Sequence, residues 1–178
     1  MTTSTTTVER VEAWPVPEHA RIGTLPRHFG MHMLTVEGRI YDFLSQFCPS
    51  YDGGMWQFFE LSNGGFYMSP PEDSFELTIH GNGFRGHMSA DAAGITVCLF
   101  AFSHLSFENT TDIFSRHYHW HLEYAKDHVE AGAIFAAMLA AMAVAGALGL
   151  AFERVIVRPV YGQHLKQILI TMGGMIVG

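Results

Sequence analysis

The chain of 178 residues predicts an α+β fold, a small antiparallel sheet with packed helices in a single domain, followed by an apolar C-terminal helical extension. The stretch Phe58 to Gly94, FFELSNGGFYMSPPEDSFELTIHGNGFRGHMSADAAG, alternates short apolar runs with turn residues and ends in a helix-start signal. Apolar residues recur at three- and four-residue steps on either side of it, over 35–47 and again from 113 onward, as on one face of a helix. Apolar content of 48% and aromatic content of 13% supply a core for one domain of this length.

In chain order, residues 1–14 read as a disordered N-terminal arm. MTTSTTTV is polar and repetitive and has neither the basic start nor the apolar centre of a signal peptide. Val11 to Pro26 carries Pro15, Pro17 and Pro26 and reads as an extended arm lying on the domain, anchored by Trp14, Val16, Ile22 and Leu25. Val36, Ile40, Phe43, Leu44 and Phe47 form the inner face of a helix over 35–47. Gly38 weakens it by ~1 kcal/mol relative to alanine, less than burial of that face returns. Cys48, Pro49 and the turn Tyr51–Gly54 end it.

In the central stretch, Phe58, Phe59 and Leu61 lead into the turn Ser62-Asn63-Gly64-Gly65, and Phe66, Tyr67 and Met68 resume the strand, which is a hairpin pattern. Pro70 and Pro71 end that strand, because proline gives no N–H to a ladder. Phe75, Leu77 and Ile79 alternate as a half-buried strand, and His80 to Gly86 reads as a second turn. Ser89 caps a helix whose first turn holds Asp91 and whose apolar residues Ile95, Val97, Cys98, Leu99 and Phe102 are buried. After a loop from Phe107 to Asp112, a single long helix is expected from Ile113 to Met138. Tyr118, His121, Leu122, Ala125, His128 and Val129 face inward on it, and Arg116, Glu123, Lys126, Asp127 and Glu130 face water.

Charge narrows the function classes. Residues 1–140 hold sixteen acidic and seven basic residues, a net of −9, which disfavours direct binding to a nucleic-acid backbone. His80-Gly81-Asn82-Gly83-Phe84-Arg85-Gly86 is glycine-rich but lacks the lysine of a phosphate-binding loop. Cys48 and Cys98 show no metal-type spacing and read as reduced thiols of a cytoplasmic protein, a disulfide between them being the alternative. His117 and His121 share a helix face with His128 seven residues further on, so a metal-binding enzyme built on these three is the alternative to a binding protein, although no HExxH occurs.

Leu25-Pro26-Arg27-His28-Phe29-Gly30, then Cys48, Tyr51, Gly53-Gly54 and Trp56, then Leu61-Ser62-Asn63-Gly64-Gly65-Phe66-Tyr67-Met68 and Ser89-Ala90-Asp91-Ala92-Ala93-Gly94-Ile95, and last Tyr124-Ala125 and His128-Val129-Glu130-Ala131, follow a familiar order and spacing. Over about residues 15–140 the chain resembles the ArdB/KlcA antirestriction family. The resemblance implies a protein of mobile elements that protects incoming DNA from type I restriction endonucleases, with no catalytic residue, metal or cofactor. The expected partner is a component of the type I restriction-modification pathway. Asn63 in the hairpin turn and the acids Glu123, Asp127 and Glu130 are the expected partner-binding residues.

Residues 141–178 depart from that pattern. Residues 131–152 hold no charge over 22 residues, enough as a helix for ~30 Å of hydrocarbon. Ten of them are alanine and three glycine, so the stretch reads as a weak membrane segment and equally as a packed helix. Residues 141–178 resemble an internal fragment of a branched-chain amino-acid ABC transporter permease, with Arg154, Arg158 and Lys166 as a cytoplasmic link. This tail is expected to derive from a fusion and to be functionally incidental. A membrane-associated protein tethered through 131–178 is the alternative to the cytoplasmic one.

Overall fold

The computed structural model describes residues 10–81 and 83–139. The permease-like tail and the first nine residues of the expected N-terminal arm lie outside them.

The fold is built around the helix α3, Ala90–Glu108. Its sequence is apolar on every side, the composition of a helix buried all round. It is long and apolar enough to cross a membrane, yet most of its apolar window is buried within the protein, where it is the core helix. The helix α2 (Met33–Phe47), the helix α4 (Ile113–Lys126), and the strands β3 (Phe66–Ser69), β4 (Ser74–Ile79) and β5 (Phe84–Ser89) all pack against it. The approach to β3 is close. A Cβ at Gly94 would lie 2.2 Å from the Met68 carbonyl oxygen, so only glycine lets the helix sit there.

The expected antiparallel pairings form two small sheets. β2 (Gln57–Leu61) pairs with β3 with Phe58 opposite Met68 and Phe59 opposite Tyr67. β4 and β5 form a separate hairpin in which Ile79 faces Phe84. The turn expected over 80–86 is therefore shorter, because Phe84 resumes the ladder at once.

The N-terminal reading is corrected twice. Residues 10–14 belong to the domain: Val11 is buried, and β1, Ala13–Pro15, adds a third strand to β2. Prolines are tolerated on an edge strand, which is where β1 lies. Beyond it the chain forms a one-turn 3-10 helix and then α1, Arg21–Phe29, in place of an extended arm. Pro26 sits inside α1, and the carbonyl that loses its N–H partner belongs to Ile22, which is 90% exposed and can turn to water. Of the expected anchors, Val16 and Leu25 are buried, while Trp14 and Ile22 are largely exposed. Glu60 of β2 holds α1 through Arg27 and through His28 at 2.9 Å. Burial lowers the His28 pKa more than Glu60 raises it, so the ring pairs as a neutral N–H donor.

The third correction concerns the long helix. α3 runs to Glu108, two residues into the expected loop, and α4 stops at Lys126. Its end tightens, with Asp127 N–H donating to Tyr124 O and His128 N–H to Ala125 O, and residues 127–130 form a turn before a second helical run at 131–139. Ile134 and Ala137 on that run are buried.

Candidate functional site

The hairpin turn that carries Asn63 lies flat on α4. Gly64 has φ +90°, the left-handed region that favours glycine, and a Cβ there would touch the Trp120 ring at 3.7 Å. Asn63 Nδ2 donates to the Trp120 carbonyl at 2.9 Å and to Glu123 Oε2 at 3.1 Å, while its Oδ1 accepts from Gly65 N–H at 3.1 Å. The Arg116 guanidinium lies over the indole ring of Trp120, 5.6 Å from the ring centre. Two of the four expected partner-binding residues, Asn63 and Glu123, are thus in contact. Asp127 is exposed at the end of α4, where its backbone carbonyl accepts from Arg10.

Glu130 stands apart from them. It lies in the turn after α4, is half-buried, and accepts from Ser89 N–H at 3.1 Å and from the Ser89 hydroxyl. The expected outward acid and its pairing with Lys126 on a continuous helix are replaced by a tie to the start of α3.

Beside this tie is a second one. Tyr67 Oη donates to Asp91 Oδ1 at 2.7 Å, and His128 Nε2 lies 3.0 Å from Asp91 Oδ2. Glu130 N–H donates to His128 Nδ1 at 3.1 Å, which fixes the neutral ring with its proton on Nε2, directed at the carboxylate. Burial raises the Asp91 pKa, but the hydrogen bonds from His128 and Tyr67 outweigh it, and the carboxyl stays below its ordinary value. The same burial and the Asp91 charge push the Tyr67 phenol up.

Serine, histidine and aspartate in one neighbourhood invite a nucleophilic reading, which the geometry does not support. The Ser89 hydroxyl gives its proton to Glu130 and accepts Ala92 N–H at 3.2 Å as the helix cap. Both nitrogens of His128 are occupied by Asp91 and Glu130 N–H, leaving neither to take the serine proton.

The three histidines of the metal reading point to different partners. His121 Nε2 donates to the Ile95 carbonyl at 3.1 Å, His117 packs among Phe29, Phe102 and Trp120, and His128 holds Asp91. Burial lowers the pKa of His117 to about 3 and that of His121 to about 4. No group of three or more His, Cys, Asp or Glu among the described residues is placed to hold a metal ion. Cys48 and Cys98 are free and buried, and burial raises the Cys98 thiol to about 12.

The residues that sequence reasoning missed are Tyr67, Ser89, Asp91 and His128 as one network. Ser89 and Asp91 were legible as a helix start, but nothing local signals that a tyrosine 24 residues before Asp91 and a histidine 37 residues after it share its carboxylate.

A family model described as antirestriction protein matches residues 49–138. The antirestriction protein KlcA of Escherichia coli is 40% identical over 136 residues, covering 72% of this chain and 93% of KlcA. The uncharacterized protein YafX of Escherichia coli K12 is 44% identical over 125 residues, 67% of this chain and 82% of YafX. A solved structure of the KlcA and ArdB proteins, reported to show a novel fold and antirestriction activity against type I DNA restriction systems in vivo but not in vitro, superposes with a TM-score of 0.68. That match is at 39% identity and covers 72% of this chain and 95% of the other. The motifs that meet at Asp91 and at Trp120 are the ones on which the sequence resemblance rested, and the chain belongs to the ArdB/KlcA antirestriction family.

Proposed function

We propose that the protein protects incoming DNA from type I restriction endonucleases in the cytoplasm, by binding a protein component of the restriction pathway and without catalysis. The observation that carries this reading is the likeness to KlcA and ArdB, whose activity against type I systems is described in vivo but not in vitro. Activity that appears only in the cell favours an action needing a further cellular component over a reaction with purified enzyme. The charge supports a protein partner, since −9 over residues 1–140 repels a phosphate backbone. The surface formed by Asn63, Glu123 and Asp127 is polar, partly exposed and carried by a helix packed into the core, which suits a preformed docking face.

Plating of unmodified phage on a type I restricting host that expresses the full chain tests this. Plating efficiency should rise toward that of modified phage. No rise, with folded soluble protein confirmed in the same cells, overturns the proposal.

A further inference from the structure

One face of the β1-β2-β3 sheet is left partly uncovered beside the Asp91 network. Cross-strand register puts Gln57 beside Ser69 and Phe59 beside Tyr67 on that face. The Phe59 and Tyr67 rings stack at 4.7 Å with 9° between planes, and Tyr124 continues the stack at 5.5 Å. The linker from Pro70 to Asp73 and the first residues of α3 rise around this floor and enclose an open-sided cleft of about 530 Å³.

Its lining has one sign of charge. Glu72, Asp73 and Asp91 line it and no basic side chain does. Glu72 and Asp73 are exposed, and their carboxylates have no hydrogen-bond or ion-pair partner among the described residues. The Asp91 side chain remains 36% exposed at the cleft although Tyr67 and His128 hold it. A second observation is independent of the acids. Ser69 is only 7% exposed, and its hydroxyl lines the cleft with no partner among the described residues. That hydroxyl opens onto the cleft and has no partner there among the described residues, so it is free to meet a polar group of a ligand.

These features select a ligand. A guanidinium is flat and stacks on aromatic rings, forks onto carboxylates, and has further N–H groups for a hydroxyl acceptor. Half-buried Phe59 and Tyr124 supply ring surface, Glu72 and Asp73 supply carboxylates, and Ser69 and Gln57 supply neutral acceptors. An ammonium matches the acids but not the flat wall. A phosphate meets three carboxylates, and at the start of α3 the Ala90 and Ala92 N–H groups that could attract it already donate to Asp73 O and Ser89 Oγ.

We infer that this cleft is the docking site for an arginine side chain presented by a protein partner. The inference rests on the protein-binding reading above and deepens it by naming the chemistry of one contact.

The test is a titration of the ¹⁵N-labelled full chain with acetyl-Gly-Arg-Gly-amide, followed at the backbone amides of Gln57, Ser69 and Asp91. Peptides with lysine or with citrulline, the neutral isostere of arginine, serve as comparisons. The arginine peptide should give saturable shifts at these amides, the lysine peptide weaker ones, and citrulline none. E72Q/D73N, at exposed side chains without partners, should keep the fold and weaken arginine-peptide binding by about threefold or more. Gln57→Lys, which places an ammonium on the floor, should abolish binding. Absence of saturable shifts, equal response to citrulline, or unchanged binding by both variants overturns the inference. Phage protection by the same variants is read separately. Wild-type protein that binds the peptide but never protects counts against the proposed function, and Q57K that loses peptide binding yet protects fully counts against the cleft as the partner's site.

Discussion

Tyr67 and Asp91 are joined by a 2.7 Å hydrogen bond that links the edge strand β3 to the first turn of α3, and the second oxygen of the same carboxylate receives His128 from the turn after α4. One side chain therefore fixes three segments that are distant in sequence. The two ends of the Tyr67 bond are not equivalent. Tyr67 is 1% exposed, so Asp91→Ala takes the carboxylate acceptor from a buried phenol, leaving it only Tyr124, and should cost about 1–3 kcal/mol. Tyr67→Phe leaves only the 36% exposed carboxylate, which water can serve, and should cost about 1 kcal/mol or less. Urea denaturation of the two variants beside wild type checks the order, and a Tyr67→Phe loss equal to that of Asp91→Ala refutes it.

The buried histidines set the response to mild acid. His117 and His121 have folded pKa values lowered by burial to about 3 and about 4, against ~6.5 for an unhindered imidazole. Between those values the unfolded chain binds protons that the folded one refuses, so stability falls as pH drops below ~6.5. The slope should approach about 1.4 kcal/mol per pH unit for each histidine. Asp91 adds to acid loss only lower down, because its depressed pKa keeps its contribution until pH falls through the folded value. Urea midpoints from pH 7.5 to 5 should show the fall, to which His28 adds with the same sign, and His117→Phe, in a site walled by Phe29 and Phe102, should flatten it by about a third or more. A midpoint that does not move over that range contradicts the assignment.

Glycines in the family motifs should differ sharply from glycines elsewhere. Gly94→Ala drives a methyl to 2.2 Å from the Met68 carbonyl, a backbone atom that cannot swing aside, and should cost about 3 kcal/mol or more. Gly38 lies inside α2 with nothing within 4 Å of its would-be Cβ, so Gly38→Ala should stabilise by about 0.5–1 kcal/mol. Thermal melts of the two single variants read these opposite signs. A neutral Gly94→Ala would mean that α3 and β3 can separate without loss.

Legibility followed the range of the interaction. The hairpin at Asn63, the proline stop at Pro70, the alternating strand at Phe75 to Ile79 and the cap at Ser89 are all set by neighbours within a few residues, and each lies where the pattern puts it. The arm before Pro26 misled because prolines outweighed the burial of Thr24, Leu25 and Phe29, which holds α1 together around Pro26. The break after Lys126 misled for the opposite reason. Residues 113–138 carry an unbroken helical pattern, and only the pull of Asp91 on His128 and of Ser89 on Glu130 marks residues 127–130 as a turn. Those bonds span 37 and 41 residues, beyond any local signal. The same holds for the site: Asn63 and Glu123 could each be singled out as polar and exposed, but their contact across 60 residues appears only in the fold.

The exposed acids at the end of α4 allow a test of the docking face that leaves the core alone. Glu123 and Asp127 both face water, and Glu123 loses only one exposed contact to Asn63 when changed. E123K/D127K should therefore fold with a melting temperature near that of wild type. Reversing both charges puts like against like if the partner's surface is basic, and a penalty of that kind should lower phage protection by roughly tenfold or more. Glu130 is excluded from this variant because its tie to Ser89 is structural, and Glu130→Ala should instead lower stability. If E123K/D127K is folded and protects as well as wild type, this end of α4 is not the docking face, and the contact must lie elsewhere on the domain.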